Sequence, residues 1–154
     1  MHKNRLKKIS EKLAKNNIDV FIISKPENQY YISGFSGEGL TILTRYKNYI
    51  ITDSRYTEQA KNEASDFEII EKKTGISPFS ISFQIIKESD LGNIGFESHS
   101  LTVKEYDELA ENFKNISLIK TDGFIEDLRA VKDSYEIELI KSAQKITDKT
   151  FEYI

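Results

Sequence analysis

Two strand-like runs separated by a short polar link constrain this chain more than any other feature. Leu40–Thr44 and residues 49–52 are each rich in β-branched or aromatic side chains, and only Arg45, Tyr46, Lys47 and Asn48 lie between them. That spacing predicts a β-hairpin with a four-residue loop. The surrounding stretch, residues 28–60, holds five of the eight tyrosines and three of the seven glycines, so structural and functional constraint should concentrate there. Gly34, Gly37 and Gly39 make a loop of little bulk ahead of the hairpin. Behind it, Asp53 or Ser54 can cap a helix over residues 55–64, because a short side-chain oxygen accepts the unpaired N–H groups of a first turn.

Outside the hairpin, helix and strand signals alternate. Leu6, Ile9, Leu13 and Ala14 recur at helical spacing over residues 3–16. Residues 20–24 form an apolar run of strand length, ended by Lys25-Pro26 because the residue before proline favours extended geometry. Residues 28–32 read as a helical turn and residues 67–71 as a strand. Ser77-Pro78 resembles an N-cap with proline at the first helical position, starting a helix that runs to about residue 88. Residues 93–96 suit a buried strand. Thr102 and Glu105 match a capping box, with Val103, Tyr106, Leu109, Ala110 and Phe113 on one apolar face behind it. Residues 116–119 read as a strand, residues 124–129 as a helical turn, and a long helix starts near Asp133. The expected fold is α/β, a mixed sheet of about five or six strands with helices on both faces. The apolar face of the last helix continues to Ile154 without a C-cap glycine or proline, so its burial partner is expected beyond the chain.

Composition removes several function classes. Lys plus Arg number 22 against 25 Asp plus Glu, which argues against a nucleic-acid or anionic-membrane partner. The basic cluster Lys3, Arg5, Lys7 and Lys8 reads as the solvated face of the first helix. With no cysteine there is neither a disulfide framework nor a thiolate metal site. No apolar run reaches membrane-helix length and no signal-peptide pattern is present, so a cytoplasmic location is expected. The loop Gly34-Phe35-Ser36-Gly37-Glu38-Gly39 lacks the lysine and the glycine order of a phosphate loop, and a hairpin follows it rather than a helix. His99 has no second histidine or cysteine at ligand spacing, and Glu136 and Glu138 face different sides of a helix.

Four motifs stand in register: Asn17-Ile18-Asp19; Asn28-x-x-Tyr31-x-x-Gly34-Phe35-Ser36-Gly37; Thr52-Asp53-x-Arg55-Tyr56-x-x-Gln59-Ala60; and Arg129-x-x-Lys132-x-x-x-Glu136-Ile137. In this order the chain resembles the N-terminal domain of the creatinase and prolidase superfamily, nearest to Xaa-Pro dipeptidases and Xaa-Pro aminopeptidases. The resemblance implies a ribonuclease H-like motif over residues 1–128. Residues 129–154 would be the linker and first helix of a pita-bread catalytic domain that lies beyond the chain. It also implies a homodimer acting on short proline-containing peptides with two divalent ions, expected to be manganese. The family's ligands, two aspartates, a histidine and two glutamates, lie further downstream, so no catalytic or metal-binding residue is assigned here and this chain alone is expected to be inactive.

By the same resemblance, the loop after Gly34-Phe35 reaches a partner subunit's active site. Phe35, Ser36, Gly37, Glu38 and Arg55 are then the substrate-proximal candidates, with Phe35 as an apolar wall and Glu38 near the substrate's amino end. The plainer alternative makes Phe35 core, the glycines turn formers, Glu38 solvated and Arg55 a partner of Asp53. Tyr30, Tyr31, Tyr49 and Tyr56 are expected to be core or interface aromatics. Two further alternatives stay open: a peptidase-like binding module without hydrolysis, as in histone-chaperone relatives, and creatinase-like chemistry on a small amidine.

Overall fold

Strands and helices alternate along the chain much as their periodicities require. The computed structural model describes residues 2–88 and 92–153. The order is α1 His2–Lys15, β1 Val20–Ile23, α2 Pro26–Ser33, β2 Leu40–Thr44, β3 Asn48–Thr52, α3 Thr57–Glu63, β4 Glu68–Glu71, α4 Pro78–Glu88, β5 Ile94–Glu97, α5 Val103–Asn112, β6 Leu118–Thr121, α6 Glu126–Ala130 and α7 Ser134–Tyr153. The chain divides into two compact units, Met1–Phe124 and Ile125–Ile154.

The first unit is built on a six-stranded mixed sheet ordered β4-β3-β2-β1-β5-β6. β2 runs antiparallel to both β1 and β3, whereas β3–β4, β1–β5 and β5–β6 are parallel. Among the described strands β2 alone is reversed. The other five therefore end at the same edge of the sheet, and there the glycine loop feeds into the start of β2.

Register decides which side chains share a face. Val20, Ile22, Leu40, Ile42, Ile51, Ile94 and Phe96 pack on one side with Phe79, Phe83 and Ile86 of α4, Leu109 of α5 and Phe113. Strand alternation sends Phe21, Ile23, Leu43 and Ile50 to the other side, where each is buried. Lys12 of α1 reaches the carbonyl of Phe124 at 3.0 Å, and the Phe124 ring lies 5.8 Å from that of Phe21. Gly95 keeps this side close-packed, since a Cβ there would come within 2.9 Å of Ile18.

At the end of β5 the side chain of Glu97 turns toward α2 and is only 2% exposed. The carboxylate accepts the N–H of Ser24 at 2.9 Å and of Lys25 at 2.8 Å, while Asn28 donates its amide to the other oxygen at 2.5 Å. Lys25 is the N-cap residue of α2 and makes no side-chain cap bond. The cap is therefore supplied from the centre of the sheet, and the negative charge sits where the helix dipole favours it.

Some elements differ from expectation. The hairpin link is residues 45–47 rather than four residues, because Thr44 Oγ1 donates to the Lys47 carbonyl at 2.7 Å and accepts the Lys47 N–H at 3.0 Å, which tightens the turn. α3 begins at Thr57, not Arg55, and its N-cap residue is Tyr56 without a side-chain cap bond. Asp53 instead accepts the Arg55 N–H at 3.0 Å, closing a turn before the helix starts. β6 begins at Leu118, where parallel register with Ile94 starts, while the Ile116 N–H closes a turn onto the Phe113 carbonyl. The Thr102–Glu105 capping box is formed, but Val103 is 78% exposed and leaves the apolar face. Arg5 is buried rather than solvated, its guanidinium 4.0 Å above the Tyr31 ring and 3.2 Å from the Tyr31 carbonyl.

The second unit consists of α6 and α7. Asp133 and Glu136 exchange hydrogen bonds at 2.9 Å, each carboxylate accepting the other's backbone N–H, so α7 starts on a reciprocal cap. No residue of α7 is buried.

Glu97→Ala is expected to lower the unfolding free energy by about 2–4 kcal/mol, because several inward-facing donors lose their acceptor together. Urea titration checks this, with Glu97→Gln intermediate.

Candidate functional site

The edge where five strands end carries the glycine loop, and almost every residue of that loop is anchored. Gly34 ends α2 at φ 84°, a left-handed conformation that glycine adopts freely, and its N–H reaches the Tyr30 carbonyl. Ser33 Oγ accepts the Phe35 N–H at 3.0 Å. Phe35 is fully buried, its ring edge-on to Tyr56 with centroids 6.4 Å apart. It thus anchors the loop and offers no surface to an incoming molecule. Gly37 lies over this pair, and a Cβ there would stand 2.6 Å from Phe35 and 2.7 Å from Tyr56.

Polar groups hold the remaining loop backbone. The buried Gln29 donates its amide to the Gly37 carbonyl at 2.8 Å and accepts from the Thr41 hydroxyl at 3.1 Å. Thr52 Oγ1 donates to the Glu38 carbonyl at 2.6 Å. On the outer side, Ser36 N–H donates to Glu63 at 2.9 Å, and Gln59 bridges Ser36 Oγ and Glu63 at 2.9 and 3.0 Å.

The exposed chemistry is a small charge cluster. Arg55 grips Asp53 through two contacts, Nε at 3.1 Å and a terminal nitrogen at 2.8 Å, and the same terminal nitrogen lies 3.2 Å from Glu38. The guanidinium also sits 5.1 Å from the centre of the Tyr56 ring. Hydrogen bonding from Arg55 holds the Asp53 carboxyl below its ordinary range, and Asp53 in turn raises Arg55. The backbone N–H of Ser36 is the leading cause that lowers Glu63, with Gln59 adding to it. Lys72 adds a second positive charge that acts on Asp53, so the two carboxylates face two cations and the cluster is close to neutral, with Glu38 its most exposed carboxylate.

The structure thus brings Phe35, Ser36, Gly37, Glu38 and Arg55 into one neighbourhood, with Phe35 beneath the surface and Glu38 and Arg55 on it. His99 lies apart, its Nδ1 3.6 Å from Asp122. Gln29, Glu63 and Glu97 were not singled out by sequence reasoning, although Gln59 lies inside one of the four motifs. No spacing rule flags such residues, because each acts on a partner brought close only by the fold. Among the described residues, no three His, Cys, Asp or Glu side chains are placed to hold a metal ion. No described helix is long and apolar enough to cross a membrane.

Comparison with known proteins places this geometry in context. The profile for the Creatinase/Prolidase N-terminal domain matches residues 5–131. An Xaa-Pro dipeptidase of Pyrococcus furiosus is 34% identical over 154 residues, covering 96% of this chain and 40% of that protein. The solved structure of an Xaa-Pro dipeptidase from Bacillus anthracis superposes with a TM-score of 0.90 at 27% identity, covering 99% of this chain and 42% of that one. A solved N-terminal domain of the cytoplasmic peptidase PepQ from Mycobacterium tuberculosis gives 0.73 at 31% identity, covering 81% of this chain and 98% of that one. The chain spans about two-fifths of the length of the full-length relatives it matches.

Two outcomes are expected. Gly37→Ala should destabilise the domain by about 1–3 kcal/mol through overpacking against Phe35 and Tyr56, read by thermal or urea unfolding. Because the carboxyls of Asp53 and Glu63 are lowered on folding, their contribution is fully present above the unfolded values, near 3.8 and 4.5, and is lost as pH falls through the still lower folded values. Stability measured from pH 7 downward should therefore carry no loss from this cluster until below about pH 5.

Proposed function

The chain belongs to the creatinase/prolidase N-terminal domain family, and from that premise we propose that it is the non-catalytic domain of a metal-dependent Xaa-Pro peptidase, either a dipeptidase or an aminopeptidase. Its tasks there are to support a homodimer and to restrict access to a catalytic domain, so that only short peptides with proline after the first residue enter. The observation that carries this reading is coverage: nearly all of this chain aligns with Xaa-Pro dipeptidases, which extend well beyond it. Residues 129–154 form the connection into that second domain, and the exposed Ile137, Leu139 and Ile140 of α7 are consistent with cover supplied from it.

The role assigned to the loop follows from its charges. Glu38 is exposed and paired with Arg55, which is itself committed to Asp53. At that position a carboxylate can meet a substrate's ammonium group while Arg55 keeps it oriented. The proposed divalent ions, manganese in the first instance, belong to the catalytic domain, since the described residues provide no ligand set.

The test is hydrolysis of an Xaa-Pro dipeptide and an Xaa-Pro tripeptide by the full-length protein, with and without manganese, beside this chain alone. Metal-dependent cleavage by the full-length protein and none by the chain is expected, and the preferred length names the enzyme. Absence of cleavage by a folded, metal-loaded protein would reject the proposal. In the same assay Glu38→Gln should raise KM by about two- to fivefold, the scale of one exposed charge pair.

A further inference from the structure

Glu38 and Arg55 come from different loops; Thr52 of β3 holds the Glu38 carbonyl at 2.6 Å, and the side chains of one short helix, α3, hold the loop just before Glu38. Arg55 stands one residue before Tyr56, the N-cap residue of α3. Glu38 follows Ser36, whose N–H and hydroxyl are both engaged by α3 side chains: Glu63 takes the N–H at 2.9 Å and the hydroxyl at 3.1 Å, and Gln59 donates to Ser36 Oγ at 2.9 Å. Gln59 and Glu63 stand four apart, so they rise from the same face of the helix, and their own contact at 3.0 Å stiffens the pair. From the other side Gln29 of α2 fixes the Gly37 carbonyl. Ser36 and Gly37 are thereby held between two helices, and Glu38 is the next side chain, 74% exposed and aimed at Arg55.

We infer that Gln59 and Glu63 are positioning residues that latch the loop to α3 and so set the separation of Glu38 and Arg55 at the substrate's amino end. The inference rests on the proposed function, in which Glu38 faces the peptide. Neither residue touches substrate. Their effect is to keep one carboxylate oriented, which removes the entropy loss that a wandering loop would add on binding. Glu63 is exposed and Gln59 half-buried, and neither belongs to the buried core, so their removal leaves the packing of Phe35 against Tyr56 in place.

The experiment has two arms on the variants Gln59→Ala, Glu63→Ala and Glu63→Gln. In this chain, NMR-detected amide exchange at Ser36 should speed up about tenfold in Glu63→Ala, the loss of one ordinary net hydrogen bond, and less in Glu63→Gln, which keeps an acceptor. In the full-length protein, KM for an Xaa-Pro tripeptide should rise several-fold with kcat unchanged, again partly rescued by glutamine. A Ser36 amide that is unprotected in the wild type, or unaffected in Glu63→Ala, would overturn the latch. A change in KM for Glu38→Gln beside silence in every α3 variant would overturn the inference while leaving the proposed function standing. Silence in Glu38→Gln as well would remove the reading on which it rests.

Discussion

One buried carboxylate ties the centre of this sheet to the edge where its loops gather. Glu97 ends β5 beside β1, and its oxygens are taken by Ser24, Lys25 and Asn28 at the start of α2. In open α/β sheets the crevice beyond the strand ends, where neighbouring strands send their connections to opposite faces, is the usual place for a ligand, and a helix N-terminus there usually receives an anion. β1 leads to α2 and β5 to α5, so the crevice exists here too. The chain fills it with its own anion. The α2 terminus is satisfied internally, and the exposed chemistry moves outward along the edge to Glu38, Arg55 and Asp53.

Much of the fold was legible because local physics and tertiary packing agree over most of the chain. The apolar run at Val20, the hairpin around Arg45 to Lys47 and the Thr102–Glu105 capping box each carry a local signal, and each appears where that signal points. Departures arise where a side chain has two suitors. Asp53 could cap a helix or bind Arg55, and the guanidinium, offering two charged hydrogen bonds, prevails. Arg5 could be solvated or lie on Tyr31, and the placement of its guanidinium over the ring prevails.

That these candidate residues are neighbours was legible in the sequence, but their depth was not. Sequence motifs gather Phe35 through Glu38 with Arg55, yet nothing in a linear pattern says that Phe35 points inward while Glu38 points outward. That division depends on Tyr56 and on the bare Cα of Gly37, which lets the two rings meet. The supporting shell was less visible still. Gln29 reaches Gly37 from α2, and Glu63 reaches Ser36 from the far end of α3, so neither pairing follows a helical or strand repeat.

The reversal of β2 also makes one side of the sheet more local in sequence than the other. β1, β2 and β3 are sequential antiparallel neighbours, so their pairings close short loops, whereas β1 and β5 must bring Val20 to Ile94. Loop-closure entropy grows with that distance, which makes the hairpin side of the sheet the easier place to nucleate. The anchors of the glycine loop, Gln29, Thr52, Gln59 and Glu63, all precede β5 in the chain. On a ribosome they emerge before Glu97 does. The loop thus takes all its anchors from near neighbours in the chain, whereas the start of α2 depends on an acceptor from far downstream.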